Sequence, residues 1–144
     1  MIPGLPANIN ELKGFLADDE AQALYQQALA STQLGPVLEI GSYCGKSTIY
    51  LGLAAAQNNS TVFALDHHRG SEEHQLGEFF HDPDLYDQRV GLMDTFREFR
   101  LNIRSAGLDE TVVPVVAGSD AAARDWQTPL GMVFIDGGHS LDAA

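Results

Sequence analysis

Apolar residues fall into four short runs: Val37-Leu38-Glu39-Ile40, 61–66, 111–116 and Met132-Val133-Phe134-Ile135-Asp136. Each is too short for a helix and is bounded by turn-forming residues, so each is predicted to be a strand. The stretches between them follow a different period. Ala21, Leu24, Tyr25, Ala28 and Leu29 form one stripe, which predicts a helix capped by Asp18 or Asp19 and running to about Gln33, where Gly35-Pro36 ends it. A second helix is predicted from Lys46 to about Gln57, with Ile49, Leu51, Leu53 and Ala54 available to a core. A third is capped by Asp94, carries Phe96, Phe99 and Ile103 at helical spacing, and stops at Gly107. Ser119-Asp120 reads as the cap of a short helix through Arg124, and another helix begins near His139.

Strands alternating with helices predict an α/β fold with a mostly parallel sheet and flanking helices. Pro114 cannot donate to a ladder, which pushes the third strand to an edge. The fourth is apolar throughout, as a strand covered on both faces should be. The chain runs only eight residues further, so later strands are expected beyond it; pairing of the fourth strand with another protomer is the alternative. Two segments escape the pattern. Residues 1–10 hold Pro3, Gly4 and Pro6 and read as an irregular arm, so 1–33 forms an arm and helix ahead of a sheet domain at 34–144. Residues 67–93 are polar, rich in histidine and acid, and read as one long loop of the kind that is functional or mobile.

Composition narrows the classes. The 144 residues suffice for one domain, 44% of them are hydrophobic, and 19% charged argues against wholesale disorder. A net charge of -12 with few, scattered basic residues disfavours nucleic-acid binding by phosphate neutralisation and attachment to an anionic membrane. Cys44 is alone, so no internal disulfide forms. With neither a long apolar span nor a signal-like N-terminus, a soluble, cytoplasmic protein is expected.

The candidate chemistry sits where strands end. Glu39-Ile40-Gly41-Ser42-Tyr43-Cys44-Gly45-Lys46-Ser47 forms a strand–loop–helix junction. The helix behind it offers free N–H groups and the positive end of its dipole to an anionic group. Asp66 ends the second strand, where an acid in such folds accepts hydrogen bonds from ribose hydroxyls, and Gly118-Ser119-Asp120 follows the third. A dinucleotide fingerprint is absent, because Tyr43 stands where its second glycine belongs. The phosphate-loop pattern matches at Gly45-Lys46-Ser47 but has Ile40 in place of its first glycine, which leaves an NTPase reading as a weak alternative. His67, His68, His74 and His81, among Glu72, Glu73, Asp82 and Asp84, match no zinc spacing, and a solvated loop is the better reading. Cys44, at a helix start, is a weak candidate for a reactive thiol, and Trp126, Phe96 and Phe99 read as packing residues.

Taken in order, Glu39-x-Gly41-x-x-x-Gly45-x-Ser47, Asp66, Gly118-Ser119-Asp120 and Phe134-Ile135-Asp136-Gly137-Gly138-His139 resemble the class I S-adenosylmethionine-dependent methyltransferases. Within them the chain is most similar to the macrolide-sugar and catechol-type O-methyltransferases, over about residues 34–144. The resemblance implies a Rossmann-like seven-stranded sheet, of which this chain supplies the first four strands in the order 3-2-1-4. It implies S-adenosyl-L-methionine held by Glu39, Gly41, Ser42, Gly45, Ser47, Asp66, His67, Ser119, Asp120 and Asp136. Methyl transfer to the hydroxyl of a small-molecule acceptor follows from it. In metal-dependent members Asp136 would be a Mg²⁺ ligand and His139 the general base, with further ligands drawn from beyond residue 144. A non-catalytic cofactor-binding module is the alternative, and an uncovered fourth strand would favour a homo-oligomer.

Overall fold

The computed structural model describes residues 2–70 and 82–136. Four parallel strands, β1 (Val37–Ile40), β2 (Val62–Asp66), β5 (Val112–Val116) and β6 (Met132–Ile135), pair in the order β5-β2-β1-β6. In terms of the four predicted strands this is 3-2-1-4, with the Pro114 strand at an edge as expected. Connections run through α1 (Asp18–Ser31), α2 (Lys46–Gln57), α3 (Phe96–Ser105) and the short α4 (Ser119–Ala123).

Register explains the core. Val112, Val62, Val37 and Met132 lie abreast across the sheet. That row packs with Ala28 of α1, Ile49, Leu51 and Ala54 of α2, and Phe99 and Ile103 of α3. Ile2 and Ile9 of the arm join the same core. The neighbouring row, Val113, Phe63, Leu38 and Val133, faces the other way. Trp126 covers Phe63 edge-on, with ring centroids 5.2 Å apart. On β6 this face is open among the described residues: Val133 and Ile135 are 49% and 61% exposed.

Three local readings are corrected. Neither Asp18 nor Asp19 caps α1; the cap position is Ala17, and both acids lie in the first turn, where their charge meets the helix dipole. Asp94 does accept a hydrogen bond from the Phe96 N–H, but the cap position is Thr95. At Gly118, not Ser119, stands the cap of α4. The segment 67–93 is also not one loop. It contains a 3-10 turn (Pro83–Leu85) and the antiparallel pair β3 (Tyr86–Asp87) and β4 (Leu92–Met93), whose two-residue strands are too short to show alternation. His74 and His81, with Glu72 and Glu73, lie outside the described residues, as does His139. Among the described residues, no helix is long and apolar enough to cross a membrane.

Candidate active site at the strand ends

The parallel sheet brings the predicted motifs to one edge. The Gly41 N–H donates to the Leu65 carbonyl, the Asp136 N–H to Ile40, and the Ala117 N–H to Asp66. The carboxyl ends of β1, β2, β5 and β6 therefore lie side by side, the arrangement that places a ligand beyond the ends of strands.

Glu39 is fully buried, and its carboxylate oxygens accept from the Ser47 and Thr48 hydroxyls of α2. Burial pushes its carboxyl up to about 7; the two hydroxyls act in the opposite direction, while the Asp136 and Asp66 carboxylates push it further up. Three acids thus share one field, which favours a cationic ligand group. Thr48, its second partner, was missed in the sequence, although it follows Ser47 directly.

Gly45 precedes α2 with φ +92, and a Cβ there would lie 3.1 Å from Phe99 Cδ2, so both backbone and space require glycine. No side chain caps α2, which leaves its first-turn N–H groups for another partner. Ser42 is buried, and its hydroxyl has no hydrogen-bond partner among the described residues.

Asp66 is held from two sides. Oδ2 accepts from the Tyr43 N–H and Oδ1 from the His68 N–H, both at 2.8 Å. Each oxygen keeps a further lone pair. His67 is exposed, with Nδ1 3.9 Å from Asp66 Oδ1 and accepting from the Arg69 N–H. Ser119 and Asp120 lie exposed in the first turn of α4, and Asp136 lies exposed just past β6.

Two further polar residues support this edge. Asn102, on the buried face of α3, donates to the Cys44 carbonyl at 2.8 Å. A polar residue beside Phe99 and Ile103 on an apolar stripe was the legible signal for it. His68, read in the sequence as part of a solvated loop, is 2% exposed, and its Nδ1 lies 2.7 Å from Thr95 Oγ1. Burial pushes its imidazole pKa down; Asp66 and Asp94 act oppositely, and His67 adds to the lowering. Cys44 is fully buried and its thiol is pushed up to about 12, chiefly by that burial, so the helix start does not activate it.

Three of the eight basic residues lie together, on α3. Arg97, Arg100 and Arg104 line a groove of about 410 Å³ on the outer face of α3, with Asp94 and Asp109 among them. No group of three potential metal-ligating side chains occurs among the described residues.

A family model described as a methyltransferase domain matches residues 38–144, a span that includes every one of these strand-end motifs. Among solved structures the chain is similar to cofactor-bound Rv0187 from MTB: 25% identity, a TM-score of 0.59, and coverage of 88% of this chain and 47% of that one. It is also similar to an O-methyltransferase from Bacillus cereus in complex with SAH, at 21% identity and TM-score 0.57, covering 92% of this chain and 48% of the other. The O-methyltransferase TomG from Streptomyces achromogenes, in complex with SAM, gives 18%, 0.56, 85% and 45% in the same order. At these identities the last two speak for the fold. The chain spans about half the length of the structures it matches. Matched over most of its length, and with the sheet order and strand-end motifs its sequence implied, the chain belongs to the methyltransferase-domain family.

Proposed function

We propose that this chain carries the S-adenosylmethionine pocket of an O-methyltransferase acting on a hydroxyl of a small molecule. The observation that carries the reading is Asp66: an acid at the end of the second strand, aimed by two backbone N–H groups, beside the glycine turn and within the shared field of Glu39 and Asp136. The cofactor, when bound, supplies an electrophilic methyl group on a sulfonium cation. Asp66 would accept from the ribose hydroxyls through its remaining lone pairs. The backbone of Gly41 to Gly45, with the uncapped start of α2, would receive the methionine end. Ser42 Oγ, buried and without a hydrogen-bond partner among the described residues, would gain one there. The carboxylates of Glu39, Asp66 and Asp136 would hold the positive charge near the strand ends. His67, Ser119 and Asp120 would flank the adenosine end. His139 would take the acceptor's proton, and the rest of the catalysis is positioning. A cytoplasmic location fits this reading.

Mg²⁺ fits less well. A hard cation takes six or more oxygen ligands, and among the described residues Asp136 alone stands in the family's metal position. No step is assigned to a metal.

Calorimetric titration with S-adenosylmethionine, run beside ATP with Mg²⁺, tests the reading. S-adenosylmethionine is expected to bind, and Asp66→Asn to weaken it about tenfold or more, as loss of a charge-assisted hydrogen bond implies. A folded chain that ignores S-adenosylmethionine, or binds ATP through Lys46, would overturn it.

A further inference from the structure

Asp66 is positioned by an unusual pair of donors. The two residues that give it their N–H groups, Tyr43 and His68, both have left-handed backbones, at φ +50 and +63. Among the described residues only Asn59 shares that property without being glycine. Such a conformation is disfavoured for a residue with a Cβ, and it persists only where the surroundings hold it.

At His68 the holding group is Thr95. The Thr95 N–H donates to the His68 carbonyl at 3.0 Å, and Thr95 Oγ1 hydrogen-bonds His68 Nδ1 at 2.7 Å. Thr95 is 1% exposed. The imidazole also sits against Phe96 and Phe99, 5.1 Å from each ring centroid. Phe99 in turn is the side chain nearest the Cβ that Gly45 lacks. One residue of the α3 start thus grips both the backbone and the ring of His68. The strained conformation it maintains is the one that points an N–H at Asp66. His68 Nε2 has no hydrogen-bond partner among the described residues, a further cost at a buried ring.

We infer that His68 is a positioning residue: clamped by Thr95, it sets the orientation of the Asp66 carboxylate for a ribose-bearing ligand. The inference rests on the pocket reading above and names a residue that reading does not use. His68 need not touch the ligand. Its effect passes through Asp66, and from Asp66 to the Tyr43 N–H on the opposite loop.

Two measurements separate this from simple packing and from the pocket reading. The first needs no ligand: hydrogen exchange of the Tyr43 amide, followed by NMR in the folded chain. Thr95→Val removes only the hydroxyl, and His68→Gly keeps the left-handed backbone while removing the ring. Both are expected to speed exchange at Tyr43 at least tenfold while leaving the amides of β1 and β2 protected. The double variant should be no worse than either single, because both break one contact. His68→Asn, which tolerates positive φ and keeps a polar side chain, should lie closest to the wild type. Unchanged Tyr43 exchange, or effects that add, would overturn the inference. The second measurement is S-adenosylmethionine titration. A wild type that does not bind it removes the pocket reading, and the exchange result still decides whether His68 positions Asp66. With a wild type that binds, Thr95→Val and His68→Gly should each weaken affinity about tenfold, and undiminished affinity in both would also overturn the inference.

Discussion

Single residues at this site are set by burial as much as by chemical type. Glu39 is buried away from solvent with two hydroxyl donors, and burial pushes its carboxyl up to about 7 from an ordinary 4.5. The folded chain therefore holds a proton that the unfolded chain releases between those values. Its share of stability is complete below pH 4.5 and falls as pH rises towards 7, by roughly 3 kcal/mol for a shift of this size. Urea unfolding at several pH values should show that loss in the wild type and a flatter profile in Glu39→Gln. Cys44 makes the opposite point. A helix start favours thiolate, yet full burial overrides it. A thiol-specific disulfide reagent should label the native chain at least ~100-fold more slowly than the urea-unfolded chain.

Elements are held by how closely they approach. α2 lies against the sheet and the turn before β5, and Gly52 marks the contact: a Cβ there would meet Leu108 Cδ1 at 2.8 Å and Val112 Cγ2 at 3.2 Å. Gly52→Ala sets two effects against each other. Helix propensity favours alanine by about 1 kcal/mol, while overpacking costs about 1–3 kcal/mol. Both clashing atoms belong to buried side chains at 3% exposure, so overpacking should win. Thermal unfolding should show a lower Tm for Gly52→Ala. α3 works as a buttress: Thr95, Phe99 and Asn102 reach His68, Gly45 and Cys44 in turn. Its stop is equally local, with Gly107 at φ +72 just past the last turn.

For the molecule as a whole, charge is the dominant imbalance. A net charge of -12 repels itself, and the sheet adds to this by bringing Glu39, Asp66 and Asp136 together. The compensating arginines of α3 sit on its outer face. Salt should therefore stabilise the chain: raising NaCl to about 0.5 M, where screening acts within a few ångströms, should raise Tm. A Tm that falls with salt would mean that ion pairs such as Lys13–Asp82, at 2.6 Å, outweigh the repulsion.

What the sequence determined by itself is what repeats locally. Four apolar runs, with helical spacing in the first and third helices, gave the α/β order, because burial there follows the period of the element. The glycine turn after β1 and Asp66 at the end of β2 were visible for the same reason, as interruptions of that period. Pro114 at the edge followed from its missing N–H. Tertiary structure alone decided which polar groups meet. Thr48 reaches Glu39 across 9 residues, Thr95 reaches His68 across 27, and Asn102 reaches Cys44 across 58. The pair β3–β4 was hidden because two residues cannot display a period of two. His68 looked like one of several loop histidines, and only packing against α3 gave it a buried ring. Hydrogen bonds depend on ångström distances, and sequence spacing fixes such distances only within one element.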